Sequence, residues 1–263
     1  MFARPTRRLF SSTAARPALI FPGCGIFFWW QAGTVSALAK RLDLDKAQMA
    51  GASGGALSAT LAGSGVTDSE ASLAVALRLC ERIGAFERGA WALRGIWSDL
   101  VKVWLNELLP PDAHTRCSGR VHILLYRPFY GTSLVSEFST RDDLIAACLA
   151  SVHIPFYMDG SLTREFRGGR YIDSDIGALT RTSSAAKLEI PGEPASVRIA
   201  RGRDRRLREK YSSASDVLAL VSADGVREMV RWGAEHVEEL DAKGTLWQLD
   251  GIRREPWADK ASA

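Results

Sequence analysis

Between Gln48 and Ala62 the chain reads Gln-Met-Ala-Gly-Ala-Ser-Gly-Gly-Ala-Leu-Ser-Ala-Thr-Leu-Ala, and few folds accept such a stretch. A short approach, Gln48-Met49-Ala50, leads into Gly51-Ala52-Ser53-Gly54-Gly55, which satisfies G-x-S-x-G. Glycines on either side of a serine permit a crowded, strained strand-to-helix turn that pushes the hydroxyl out at the head of a helix. The residues that follow, Ala56, Leu57, Ala59, Leu61 and Ala62, are small enough for a tightly packed helix. The N-terminus of that helix offers N–H groups and the positive end of a dipole to an anion.

A second glycine-rich turn precedes it. Ala18-Leu-Ile-Phe reads as a short buried strand closed by Pro22-Gly23-Cys24-Gly25, with a helix over Phe28 to Leu42. Strand, helix, strand and helix in that order predict an α/β protein with a parallel sheet. Consecutive N–H groups in Gly23-Cys24-Gly25 suit an oxyanion. A dinucleotide loop is the rival, but G-x-G-x-x-G fails at Phe28 and no G-K-[ST] is present.

Residues 68–110 read as helical throughout, with Trp97, Leu100, Val101, Trp104, Leu105 and Leu108 on one stripe, expected to face the core rather than lipid. Pro110-Pro111 ends it. Val121–Leu125 reads as a strand, Leu134–Phe138 as a second, Arg141–Ser151 as a helix, Arg170–Ile172 as a short strand, and Ser215–Leu240 as a long helix. The basic run Arg198 to Lys210 reads as a solvated linker, with an anionic lipid surface as the alternative.

A nucleophilic serine needs a base. A triad-type α/β-hydrolase places its acid and then its histidine after the serine, and normally several strands before it, whereas only one or two fit before Ser53. His236, beside Glu235 and Glu238, reads as a surface residue. His153, before Ile154-Pro155, is the one histidine kept as a candidate. Asp173, at the end of Tyr171-Ile172-Asp173, is the other candidate base.

Taken in order, Gly23-Cys24-Gly25, Gly51-Ala52-Ser53-Gly54-Gly55 and Tyr171-Ile172-Asp173 resemble the patatin-like phospholipase family. Residues 109–123, 136–151 and 154–157 look most similar to its animal branch, which includes adipose triglyceride lipase and adiponutrin. The resemblance spans roughly Ala18 to Gly177. It implies a three-layer α/β/α sandwich with a mainly parallel sheet. It also implies a Ser–Asp dyad in which Ser53 is the nucleophile, Asp173 the base, and Gly23, Cys24 and Gly25 the oxyanion hole. The activity implied is hydrolysis of glycerolipid esters through an acyl-serine, with no metal or organic cofactor. The alternatives are an inactive lipid-binding or regulatory protein of the same fold, and a triad-type hydrolase. Two features depart from the family pattern. Asp173-Ser174-Asp175 stands where the family has D-G-G or D-G-A, making Asp175 a rival base. Ile26-Phe27-Phe28-Trp29-Trp30 follows the first glycine turn, to line an acyl groove, touch a membrane or fill the core.

Size and charge frame the rest. A chain of 263 residues with 46% hydrophobic content supports one domain core. The expected division is a leader over 1–17, a catalytic domain over 18–190, and a basic linker with a helical extension over 191–263. Residues 1–17 hold Arg4, Arg7, Arg8 and Arg16 and no acid, so without them the formal charge of +4 becomes 0. An Arg- and Ser-rich, acid-free start predicts a transit peptide, mitochondrial first, with plastid or cytoplasm and lipid droplet as alternatives. The expected partners are a lipid substrate and a peripheral membrane or droplet surface, not nucleic acid. Cys24, Cys80, Cys117 and Cys148 carry no C-x-x-C spacing and read as single thiols.

Overall fold

Ala18–Phe21 (β1) is buried along its whole length because it lies inside a sheet, with Gln48–Ala52 (β2) on one side and Ser196–Arg198 (β7) on the other. That placement explains a strand of four consecutive apolar residues rather than an alternating one. The computed structural model describes residues 16–175, 188–191 and 196–254. Its five-stranded sheet has the order β4-β3-β2-β1-β7, with β3 at Val121–Arg127 and β4 at Gly131–Val135. All neighbours are parallel except β4, which returns antiparallel on β3. The sheet is thus mainly parallel and flanked by helices, as expected of an α/β/α sandwich.

Side chains alternate across the sheet. Leu19, Phe21 and Met49 face the larger core, built with the helices Phe28–Arg41 (α1), Gly54–Ser64 (α2), Ser69–Arg82 (α3), Trp97–Leu108 (α4), Ala113–Cys117 (α5) and Arg141–Ser151 (α6). Ala18, Ile20, Ala50 and Ala52 face the other side, where Leu188 and Ile190 cover them. A small antiparallel pair, Arg164–Phe166 (β5) and Gly169–Tyr171 (β6), follows α6, and an isolated bridge from Ile172 to Tyr126 ties it to β3.

The long helix expected over 68–110 is two helices. Gly84, Gly89 and Gly95 between them hold φ of +59°, +82° and +84°, a left-handed conformation that ends helices. The second strand starts earlier than expected, at Gly131 rather than Leu134. The last long helix is Ala223–Ala242 (α8), capped by Ser222 accepting from Gly225 N–H, and a 3-10 turn occupies Ala214–Val217. Within the basic run, the short helix Arg205–Lys210 (α7) directs its charge at neighbours. Arg206 pairs with Asp204, Glu235 and Glu239, and Lys210 with Glu228.

Helix α8 lies backbone to backbone on α1. A Cβ on Gly33 would stand 1.9 Å from Val230 O, and one on Gly233 1.9 Å from Trp30 O. His236, three residues after Gly233, therefore shares the buried stripe. It is 4% exposed with its ring 5.1 Å from that of Trp30, not the surface residue expected.

Candidate active site

Ser53 sits between β2 and α2 with φ +52° and ψ −131°. This is backbone strain in a non-glycine residue, of the kind that persists only where its surroundings enforce it. The surroundings are crowded enough to do so. A Cβ on Gly51 would stand 2.2 Å from Gly55 O, and one on Gly55 2.0 Å from Phe21 O. The flanking glycines are thus required by close approach at the turn from β2 into α2. Ser53 N–H donates to Ser151 Oγ (3.0 Å), whose hydroxyl donates to Leu124 O (2.8 Å). The elbow is thereby tied to α6 and β3.

Ser53 Oγ donates to Asp173 Oδ2 at 2.5 Å, and both residues are buried. Asp173 arrives from the end of β6. Its N–H donates to His153 O (2.6 Å) while its other carboxylate oxygen accepts from Asp175 N–H (2.8 Å). The His153 ring is occupied elsewhere, with Nε2 3.3 Å from Ser161 O and Nδ1 4.0 Å from Asp159 Oδ2. Burial, first of all, lowers its pKa. The geometry therefore brings Ser53 to Asp173, while the His153 ring meets Ser161 O and the His236 ring packs against Trp30.

The loop Gly23-Cys24-Gly25 packs on the first turn of α2. A Cβ on Gly54 would lie 2.9 Å from Cys24 Sγ and 3.3 Å from Gly25 N. Among the described residues, the N–H groups of Cys24 and Gly25 meet no acceptor, so they are available to an oxyanion beside Ser53. Burial, then the Asp175 carboxylate, pushes the Cys24 thiol well above its usual pKa, so it stays protonated. Its Sγ–H donates to Gln31 Oε1 (3.3 Å).

Gln31 is a residue the sequence reading missed. Its amide nitrogen donates to Pro22 O (3.0 Å) and Ile199 O (3.1 Å), and its oxygen also accepts from Ser58 Oγ (2.8 Å). One buried side chain thus joins the glycine turn Pro22–Gly25 to α2 and to the chain after β7. A polar residue following Phe-Phe-Trp-Trp was the available signal. Ser151 was missed as well, and a serine closing a helix carries no signal of its own.

From Ser53 an apolar cavity of about 120 Å³ runs among α1, α3 and α4. Ile26, Phe28 and Trp29 line it, and Phe27 and Trp30 lie deeper in the core. The α4 stripe faces inward as expected, and Trp97, Leu100, Val101 and Trp104 there form a cavity wall. Phe28 and Trp29 meet Trp104 edge-on at 5.3 and 5.9 Å between ring centres. Among the described residues no group of three or more His, Cys, Asp or Glu side chains is arranged to hold a metal ion.

A mainly parallel α/β sheet with a serine strained at a strand–helix elbow, beside a glycine turn and an apolar cavity, defines a class of lipid-handling α/β proteins. Residues 19–178 match the family described as patatin-like phospholipase. The chain belongs to that family. It is 47% identical over 81 residues to human patatin-like phospholipase domain-containing protein 5, covering 30% of this chain and 18% of that one. It is 32% identical over 163 residues to a human 1-acylglycerol-3-phosphate O-acyltransferase, covering 60% and 34%. It is also 32% identical over 167 residues to the mouse omega-hydroxyceramide transacylase, covering 62% and 27%. In each case the match spans about a third or less of the relative's length.

Proposed function

We propose that this chain is a serine acyl hydrolase acting on glycerolipid esters, with Ser53 as nucleophile and Asp173 as base. The observation that carries the reading is the Ser53–Asp173 hydrogen bond at the head of an apolar cavity. The acyl chain lies in the cavity, leaving the ester carbonyl at Ser53. Ser53 Oγ attacks the carbonyl carbon as its proton passes to Asp173, and the developing oxyanion takes N–H groups of the Gly23–Gly25 loop. Collapse breaks the ester C–O bond, and Asp173 returns the proton to the departing alkoxide. Water then attacks the acyl-serine as Asp173 takes its proton, collapse breaks the bond from Ser53 Oγ to the acyl carbon, Asp173 returns the proton to Ser53 Oγ, and the fatty acid leaves. The same intermediate would pass its acyl group to an alcohol if one entered instead of water, which fits relatives named as an acyltransferase and a transacylase. These steps call on no metal or organic cofactor.

The dyad is favoured over a triad because the group at Ser53 Oγ is a carboxylate, and the His153 ring meets other partners. It is favoured over an inactive lipid-binding role because Asp173-Ser174-Asp175 still delivers Asp173 to the serine. The test is fluorophosphonate labelling of the wild type, Ser53→Ala and Asp173→Asn. The reading expects labelling that vanishes in the first variant and falls at least about a hundredfold in rate in the second. Labelling that survives Ser53→Ala, or none in folded wild type with lipid vesicles present, would overturn it. Residues 1–15 of the candidate leader lie outside the described residues. Its composition supports mitochondrial import, and fusion of residues 1–17 to a reporter tests that.

A further inference from the structure

Two of the four described non-glycine residues with positive φ are phenylalanines that point into solvent. Phe129 (φ +69°) is 102% exposed and Phe156 (φ +60°) is 57% exposed. A bulky side chain in the left-handed region is a true outlier, easily relieved by Gly or Asn. Each is the third residue of a turn with Pro second, closed by Tyr130 N–H donating to Arg127 O and by Tyr157 N–H donating to Ile154 O; the turn calls for positive φ there but gains nothing for folding from a large exposed ring.

Phe129 lies in the turn from β3 to β4, at the end of the sheet that carries Ser53, and Phe156 in the loop that follows α6. Strand β3 pairs with β2 as far as Leu124 opposite Ala52, then continues through Leu125, Tyr126 and Arg127, about 10 Å farther at 3.3 Å per residue. The turn bearing Phe129 stands beyond that. Phe156 lies five residues past Ser151 and Phe129 five past Leu124, and these two anchors are bonded to each other and, through Ser151, to Ser53. Ile154 and Met158, on either side of Phe156, line the cavity. Trp91, 53% exposed, stacks edge-on against Tyr157 at 6.2 Å. Phe156 thus stands between two cavity-lining residues, and Phe129 at the same end of the sheet as Ser53.

Charge identifies the occupant. The turn 127–131 and the segment 88–98 contain no acid, and Asp159 of the 154–162 segment is paired with Arg164 at 3.2 Å. Arg127 stacks on the exposed Tyr130 ring at 4.1 Å. Neither it nor Arg94, three residues after Trp91, has an ion-pair partner among the described residues. Aromatic rings with unpaired arginines suit a membrane interface carrying negative headgroups. Among the described residues no helix is long and apolar enough to cross a membrane, so the attachment is peripheral.

We propose that Phe129 and Phe156 are anchors that dip into an anionic phospholipid surface and seat the cavity mouth on it. Docking does not depend on the Ser53–Asp173 chemistry, and the two are tested separately. The full chain is sedimented with vesicles of phosphatidylcholine, alone and mixed with phosphatidylglycerol, and compared with F129N/F156N, which relieves the backbone. The expected result is stronger partition onto the mixed vesicles, lowered about tenfold for each ring removed, with fluorophosphonate labelling in solution unchanged as proof of folding. Wild type that stays in the supernatant with both vesicles, or a double variant that partitions like wild type, would overturn the proposal. Equal binding to both vesicles would overturn the role given to charge. A dimer in ultracentrifugation that the double variant dissolves, without vesicle binding, would assign the surface to a second copy instead.

Discussion

The backbone N–H of Asp173 donates to the backbone carbonyl of His153 across 2.6 Å. The histidine nearest the site therefore positions the carboxylate through its main chain, which any residue can supply. His153→Gln is expected to change the rate of acyl-serine formation less than about threefold. If Asp173 is the base proposed above, Asp173→Asn should lower that rate by about 10²–10⁴-fold. Stopped-flow burst kinetics with an activated ester measures both. A His153 variant as dead as the Asp173 variant would restore the triad.

Ser151 receives the Ser53 N–H and passes a hydrogen bond on to Leu124 O. Ser151→Ala leaves a buried donor and a buried acceptor without that link, at about 1–3 kcal/mol. Since the lost bond restrains a strained residue, kcat should fall as well, by about tenfold. Chemical denaturation and esterase assays on the one variant read both. Unchanged stability would show that Ser151 is not the tie that the geometry makes it.

Gln31 uses all its hydrogen-bonding capacity, two donors to Pro22 O and Ile199 O and two acceptor positions for Cys24 Sγ and Ser58 Oγ. Gln31→Leu fills similar space but strands Pro22 O and Ile199 O. The expected outcome is about 2 kcal/mol less stability, and a kcat lowered by about tenfold or more with KM little changed. A change in KM alone would mean that Gln31 shapes the cavity instead.

These two residues mark how far the sequence could be read. Gly51 to Gly55 announced the elbow because glycine at close approach is a local requirement. Asp173 followed from its place after a short strand and from the family pattern. Ser151 and Gln31 act across 98 and 168 residues of chain, on Ser53 and Ile199, and polarity within a helix does not say what it will meet. The same limit misplaced His236, since neighbouring glutamates suggested a surface while Gly233 set the buried stripe. Within 68–110 the apolar spacing was right, but Gly84, Gly89 and Gly95 overrode its continuity.

Ala76, on α3, lines the cavity beside a wall of larger side chains. Ala76→Trp adds a ring to the space an acyl chain would fill. Hydrolysis of long-chain esters should fall more than about tenfold, as expected for apolar pocket contacts, while butyrate esters change by less than about threefold. Equal losses on both would place the acyl chain elsewhere.

Asp175 stands where the family pattern has a small residue, and its carboxylate occupies the space that a Cβ on Gly23 would need, with Oδ2 1.6 Å from that position. Burial pushes its pKa up to about 6, against the opposing pull of Arg201. Asp173 and Cys24 are the other titratable groups at this point among the described residues. A carboxyl with its pKa raised on folding favours the native state fully below its unfolded pKa near 3.8, and this contribution is lost as pH rises through about 6. Asp175→Asn should therefore remove a decline in stability between about pH 4 and 6, worth up to about 3 kcal/mol. The same charge would oppose a developing oxyanion at Gly23–Gly25. Wild-type kcat/KM is accordingly expected to fall above pH 6, and the Asn variant to hold its activity there. The hydrogen bond from residue 175 to Asp173 is made by the backbone and survives the substitution. Titration of stability and of kcat/KM for both proteins decides the matter. Two pH profiles that superimpose would mean that the carboxylate at Gly23 does not act on the chemistry.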